Sequence, residues 1–151
     1  PLACARATEE EIVAIAALHA RMVEAHRAGD LMGYFRLNQA IHEGIVEAAH
    51  NSALSRLYRG ESARIRRYRY TGNLDPARWA RALQEHAQIL DALEQRAGVL
   101  LSELLRLHHL AGWRVTRAML ADRTAGEPKA PRRLRAKENP AQAGFSGIKP
   151  Q

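Results

Sequence analysis

At 151 residues the chain suits one ordinary domain and is short for two; 46% apolar and 26% charged residues let it bury a core under a charged surface. Aromatics at 5% are too few for the stacking platforms that grip single-stranded nucleic acid, and the single cysteine, Cys4, excludes an internal disulfide or a thiolate zinc finger. No apolar run approaches the roughly 20 residues of a membrane-spanning helix, and the stretch from Pro1 to Arg6 lacks the pattern of a signal peptide, so a cytoplasmic location without a membrane partner is expected. The opening Pro1, in place of methionine, reads as the start of a fragment or a processed product.

From residue 8 to residue 121 the sequence reads as helix almost throughout. Thr8 followed by Glu11 is a capping box, in which each side chain satisfies a backbone donor at a helix start. Behind it Ile12, Ile15, His19, Met22 and His26 recur at helical period until Ala28-Gly29-Asp30, which ends one helix and caps the next. The second helix, Leu31 to about Ala49, aligns Tyr34, Asn38, Ile41, His42 and Ile45 on one side. His50-Asn51-Ser52 breaks the chain, and a third helix to about Tyr70 gathers Leu54, Leu57, Tyr58, Ile65 and Tyr68. Thr71-Gly72-Asn73 reads as a loop, and Asp75-Pro76 supplies a cap and an N1 proline to a fourth helix bearing Trp79, Leu83, His86, Leu90 and Leu93. Beyond a turn at Gly98, a fifth helix to about Leu120 buries Leu101, Leu104, Leu105, His108 and Val115.

The predicted fold is therefore all-α: an antiparallel helical bundle over residues 1–121, followed by a disordered basic tail over 122–151. The net charge is +7, and from Asp122 to Gln151 seven Lys and Arg stand against three acids, so more than half of the excess lies in that tail. Four prolines and no apolar periodicity mark the tail as lacking a core of its own.

Seven histidines are many for this length. His42, His86 and His108 each interrupt an apolar stripe on a different helix, and Asn38 lies one turn before His42 on the same face. Taken singly, a histidine on such a stripe is usually a hydrogen-bonded core residue. Taken together, three imidazoles and an amide oxygen directed into one core suit a divalent ion such as Zn or Ni.

The stretch Leu37-Asn38-Gln39-Ala40-Ile41-His42, followed by Ile45, Ala48-Ala49 and Asn51, resembles the signature of the effector-binding FCD domain of FadR-subfamily GntR transcriptional regulators. Glu85-His86-Ala87-Gln88-Ile89-Leu90-Asp91-Ala92-Leu93 is similar to the second motif of that family, and His108, not His109, stands at the family's spacing of 22 residues after His86. The resemblance implies a metal held by Asn38, His42, His86 and His108 in a central cavity beneath a small carboxylate effector. It also implies a homodimer, and DNA bound through an N-terminal winged-helix domain that this chain is expected to lack, together with most of one bundle helix. Asn38 stands where many members have Asp, which leaves a dication without a balancing negative charge and should favour an anionic effector. Arg64, at the edge of the Leu57/Ile65/Tyr68 stripe, is the candidate contact for the effector carboxylate.

Two other classes compete with a sensor. The same histidines could serve a small metal-dependent hydrolase or oxygen-activating bundle, but no phosphate-binding glycine loop, G-x-S-x-G elbow or H-E-x-x-H occurs, and no base can be named, so a non-enzyme is expected. The cluster Arg64, Arg66, Arg67 and Arg69, with the basic tail, could bind nucleic acid non-specifically through phosphate contacts.

Overall fold

A computed structural model describes residues 1–72 and 76–125. It contains six helices: α1 (Leu2–Arg6), α2 (Glu9–Arg27), α3 (Leu31–Glu47), α4 (Ser52–Gly72), α5 (Pro76–Glu94) and α6 (Gly98–Ala125), and no strand among the described residues.

The helix starts follow local chemistry. Thr8 Oγ1 accepts the Glu11 N–H at 3.2 Å while the Glu11 carboxylate accepts the Thr8 N–H at 2.8 Å, the reciprocal pair that the sequence predicts. Asp30 caps α3 through the Gly33 N–H at 2.8 Å, and Asn51 Oδ1 caps α4 by accepting from the N–H groups of Ala53 and Leu54. Gly29, at a φ of +68°, supplies the left-handed turn between α2 and α3 that a residue with a Cβ adopts only under strain.

Three expectations change. Helix begins before residue 8: α1 is a helix whose Ala3 and Cys4 are 4% exposed and packed in the core. Thr71 and Gly72 extend α4 instead of opening a loop, and Leu57, expected on its buried face, is 67% exposed. α6 continues past residue 121 to Ala125, so the last residues before 126 are helical and not tail. The cap expected at Asp75 and the tail from residue 126 onward lie outside the described residues.

The helices close a ring. α3 packs on α2, α2 on α5, α5 on α6, α6 on α4, and α4 back on α3, while α1 lies across one end against α3, α5 and α6. The centre of the ring is filled in layers. Tyr34 and Trp79 meet edge to face at one level, with centroids 5.1 Å apart, and His26 stands edge-on to Trp79 at 4.9 Å. At the end under α1, the buried Ile45, Ala49, Leu93 and Leu101 join Ala3 and Cys4 in one apolar cluster. Asn38, His42, His86 and His108 occupy the level between them.

Candidate metal centre

Each of these four side chains reaches the centre because its neighbours at helical spacing are already committed inward. On α3, Tyr34, Asn38, Ile41, His42 and Ile45 are all buried; on α5 the same face carries Ala82, His86, Ile89 and Leu93; on α6 it carries Leu101 and His108. Asn38, His42, His86 and His108 are between 1% and 7% exposed. The ring centroids of His86 and His108 lie 4.7 Å apart, those of His42 and His86 4.9 Å, and those of His42 and His108 5.1 Å. Three imidazoles from three helices thus pack ring against ring at the centre of the bundle.

The surroundings of His108 are strongly polar. Glu85 Oε2 lies 2.7 Å from His108 Nδ1, and the Arg78 guanidinium bonds both Glu85 oxygens through Nη1, at 2.8 and 2.7 Å. Arg78 Nη2 donates to the His108 carbonyl oxygen at 3.3 Å. The Arg78 side chain is 4% exposed and that of Glu85 28%, so this is an ion pair largely removed from water. Burial pushes the Glu85 carboxyl up, but hydrogen bonds from His108 and Arg78, with their charges, outweigh it and hold the group below the ordinary carboxylate range.

The donor set suits a divalent ion. Asn38 Oδ1 is buried with no hydrogen-bond partner among the described residues, a cost of about 1–3 kcal/mol for a lone amide oxygen. A dication bound by that oxygen and by neutral imidazoles would remove the cost, and N₃O sets of this kind serve Zn and Ni. His109 adds a feature that the sequence reading set aside. Although exposed, it brings a ring nitrogen within 4.8 Å of ring nitrogens of His42 and His108, so these three form the closest set of imidazole nitrogens among the described residues, while His86 joins His42 and His108 by ring packing.

The model of the FCD domain matches residues 1–111. The chain belongs to the FCD domain family. FCD domains are the ligand-sensing parts of GntR-type transcription regulators and not catalytic domains. The FCD match encloses Asn38, His42, His86, His108 and His109 together. No curated protein matches the chain significantly.

Within the FCD fold one arginine stands away from its expected place. Arg64 does not reach inward: its side chain is 75% exposed and pairs with Glu61, one turn back on α4, at 3.4 Å. Arg66 reaches Glu43 on α3 at 3.7 Å, and Arg67 is exposed, so this stretch is a solvated face. Among the described residues the buried arginine is Arg78, which the sequence does not mark out, because nothing in its local context reveals that Glu85 and His108 will surround it. Glu85 was visible only as the residue before His86.

Proposed function

We propose that this FCD domain senses a small carboxylate and does so through a divalent metal, Zn or Ni, held by Asn38, His42, His86 and His108. The observation that carries this reading is the packing of three buried imidazoles, with centroids within 5.1 Å, one of them a single turn along α3 from the unsatisfied Asn38 oxygen. When bound, the ion supplies a Lewis-acidic, positively charged contact point for an anion. The chain's own residues set the charge around that point. Asn38 contributes no negative charge, and the Glu85 carboxylate is matched by Arg78, so the two units of positive charge remain available to an anionic ligand. Arg78 itself is already engaged by Glu85 and the His108 carbonyl, which assigns it to the wall of the site and not to the effector.

DNA binding belongs, on this reading, to a winged-helix domain outside these residues, in a homodimer whose spacing responds to the effector. An association face is favoured by Leu100, Leu107, Leu110 and Trp113, exposed along α6 beside the exposed Leu54 and Leu57 of α4. Titration calorimetry with small mono- and dicarboxylates, on protein loaded with Zn²⁺ and again after chelation, tests the mechanism. Saturable binding that disappears on metal removal is expected. Binding that survives chelation unchanged, or a preference for neutral ligands, would overturn the reading.

A further inference from the structure

We infer that Glu85 and Arg78 form a built positioning device for His108, fixing which ring nitrogen carries the proton and so which one is presented to the centre of the bundle. The inference deepens the metal-sensing reading above and rests on it for its ligand, a divalent cation.

An ionised carboxylate can only accept hydrogen bonds, and a guanidinium can only donate them. Both groups lie near His108 Nδ1, and they demand opposite tautomers. Glu85 Oε2 at 2.7 Å requires a proton on Nδ1, whereas Arg78 Nη2 at 3.4 Å would require a lone pair there. Distance decides between them. The first contact is as short as charge-assisted bonds become, while the second is at the limit of a useful bond, and the same Nη2 already donates to the His108 carbonyl oxygen at 3.3 Å. Nδ1 therefore carries the proton and Glu85 accepts it. In the neutral ring Nε2 then keeps its lone pair, and that ring packs 4.7 Å from His86 and 5.1 Å from His42.

Arg78 makes this arrangement hold. Standing seven residues before Glu85, two turns back on the same face of α5, it bonds both carboxylate oxygens and at the same time reaches across to the α6 backbone at His108. Without the guanidinium, the Glu85 carboxylate would have oxygen lone pairs to spare beside a cation site and could become a competing ligand. With it, the carboxylate is occupied on one side by Arg78 and on the other by His108. The added charges cancel, so the device orients the imidazole without neutralising the cation. Carboxylates that accept from the remote nitrogen of a ligating histidine typically contribute 10–100-fold in metal affinity.

The test uses the full 151-residue chain with ¹⁵N-labelled histidine, stripped of metal, at a pH where the imidazoles are neutral. Long-range ¹H–¹⁵N correlation should show His108 protonated at Nδ1 in the wild type. In Glu85→Ala the ring should relax toward the Nε2–H form, and affinity for Ni²⁺ should fall 10–100-fold. Glu85→Gln keeps an acceptor oxygen and nearly the same shape, and it should recover most of the Nδ1–H population and much of the affinity; it also serves if the alanine variant does not fold. A wild-type His108 protonated at Nε2, or Ni²⁺ affinity unchanged in both variants, would overturn the inference. Should the wild type bind no Ni²⁺, the metal reading fails on its own, while the tautomer measurement still decides whether Glu85 fixes His108.

Discussion

Seven residues separate two layers of the bundle that are alike in geometry and opposite in chemistry. Asn38 and Ile45, and His86 and Leu93, are each two turns apart on one helix, Ala49 follows His42 by the same interval just past the end of α3, and Leu101 precedes His108 by it on α6. Burial does not distinguish the layers, since every one of the eight residues is 7% exposed or less. What differs is the reason each layer holds. The lower one is closed by dispersion and the hydrophobic effect, with α1 laid over it. The upper one leaves an amide oxygen unsatisfied and recruits the Arg78–Glu85 ion pair to one of its histidines. Burial alone therefore does not mark a stabilising core; the lower layer contributes folding energy, and the upper layer carries the cost of an unsatisfied amide oxygen.

Substitutions at matched positions break this comparison in opposite ways. His86→Ala should abolish stoichiometric retention of Zn²⁺ or Ni²⁺ in elemental analysis, because it removes a donor from the interior of the set, whereas Leu93→Ala should retain the metal wherever it remains folded. In urea titrations of metal-free protein the order reverses. Leu93 is fully buried, and its truncation should cost roughly 2–5 kcal/mol. His86→Leu should change the same measurement by less than about 1 kcal/mol, since an apolar side chain replaces a buried polar one.

Asn38→Asp sharpens the comparison on the charge side. A carboxylate beside a dication should tighten Ni²⁺ binding by at least about tenfold, or about 1.4 kcal/mol. In the metal-free protein the same change places a buried charge next to imidazoles and should lower the urea midpoint. Affinity unchanged by this substitution would remove Asn38 from the ligand set.

A purely local effect lies outside both layers, at the α2 start. Thr8→Ala should cost about 1 kcal/mol by leaving a backbone donor uncapped. Its partner Glu11 is held below the ordinary carboxylate range by the Thr8 N–H and by His50, whose Nε2 lies 3.0 Å away. A depressed carboxylate stabilises the fold at and above its unfolded pKa and loses that contribution as pH falls through the depressed value. Carbon-13 NMR should place the Glu11 midpoint below those of the unpaired glutamates, and His50→Ala should move it back up.

Much of this organisation was legible in the sequence, for identifiable reasons. Capping at Thr8 and Asp30 is local chemistry within four residues, and the inward faces of α3 and α5 are carried by helical period. The approach of His42, His86 and His108 followed from order and spacing. Periodicity gave no hint of α1, whose five residues are too few for a repeat to show. It also could not rank arginines: Arg64 sits at the edge of an apolar stripe yet turns to Glu61, while Arg78 is buried only because Glu85 and α6 enclose it. Nor did spacing favour His109, which enters the cluster because its ring lies near His42, a neighbour on another helix.

Two arginine side chains give α1 an importance beyond its length. Arg6, in its last turn, donates to the carbonyl oxygens of Ala49 and His50, just past the end of α3. Arg96, just past the end of α5, donates to the carbonyl oxygens of Cys4 and Ala7. α3 carries Asn38 and His42, and α5 carries His86. The short helix is thus tied like a turnbuckle between the two rods that bear these side chains. A change in the separation of α3 and α5 at the histidine level must either carry α1 with it or break one of those ties.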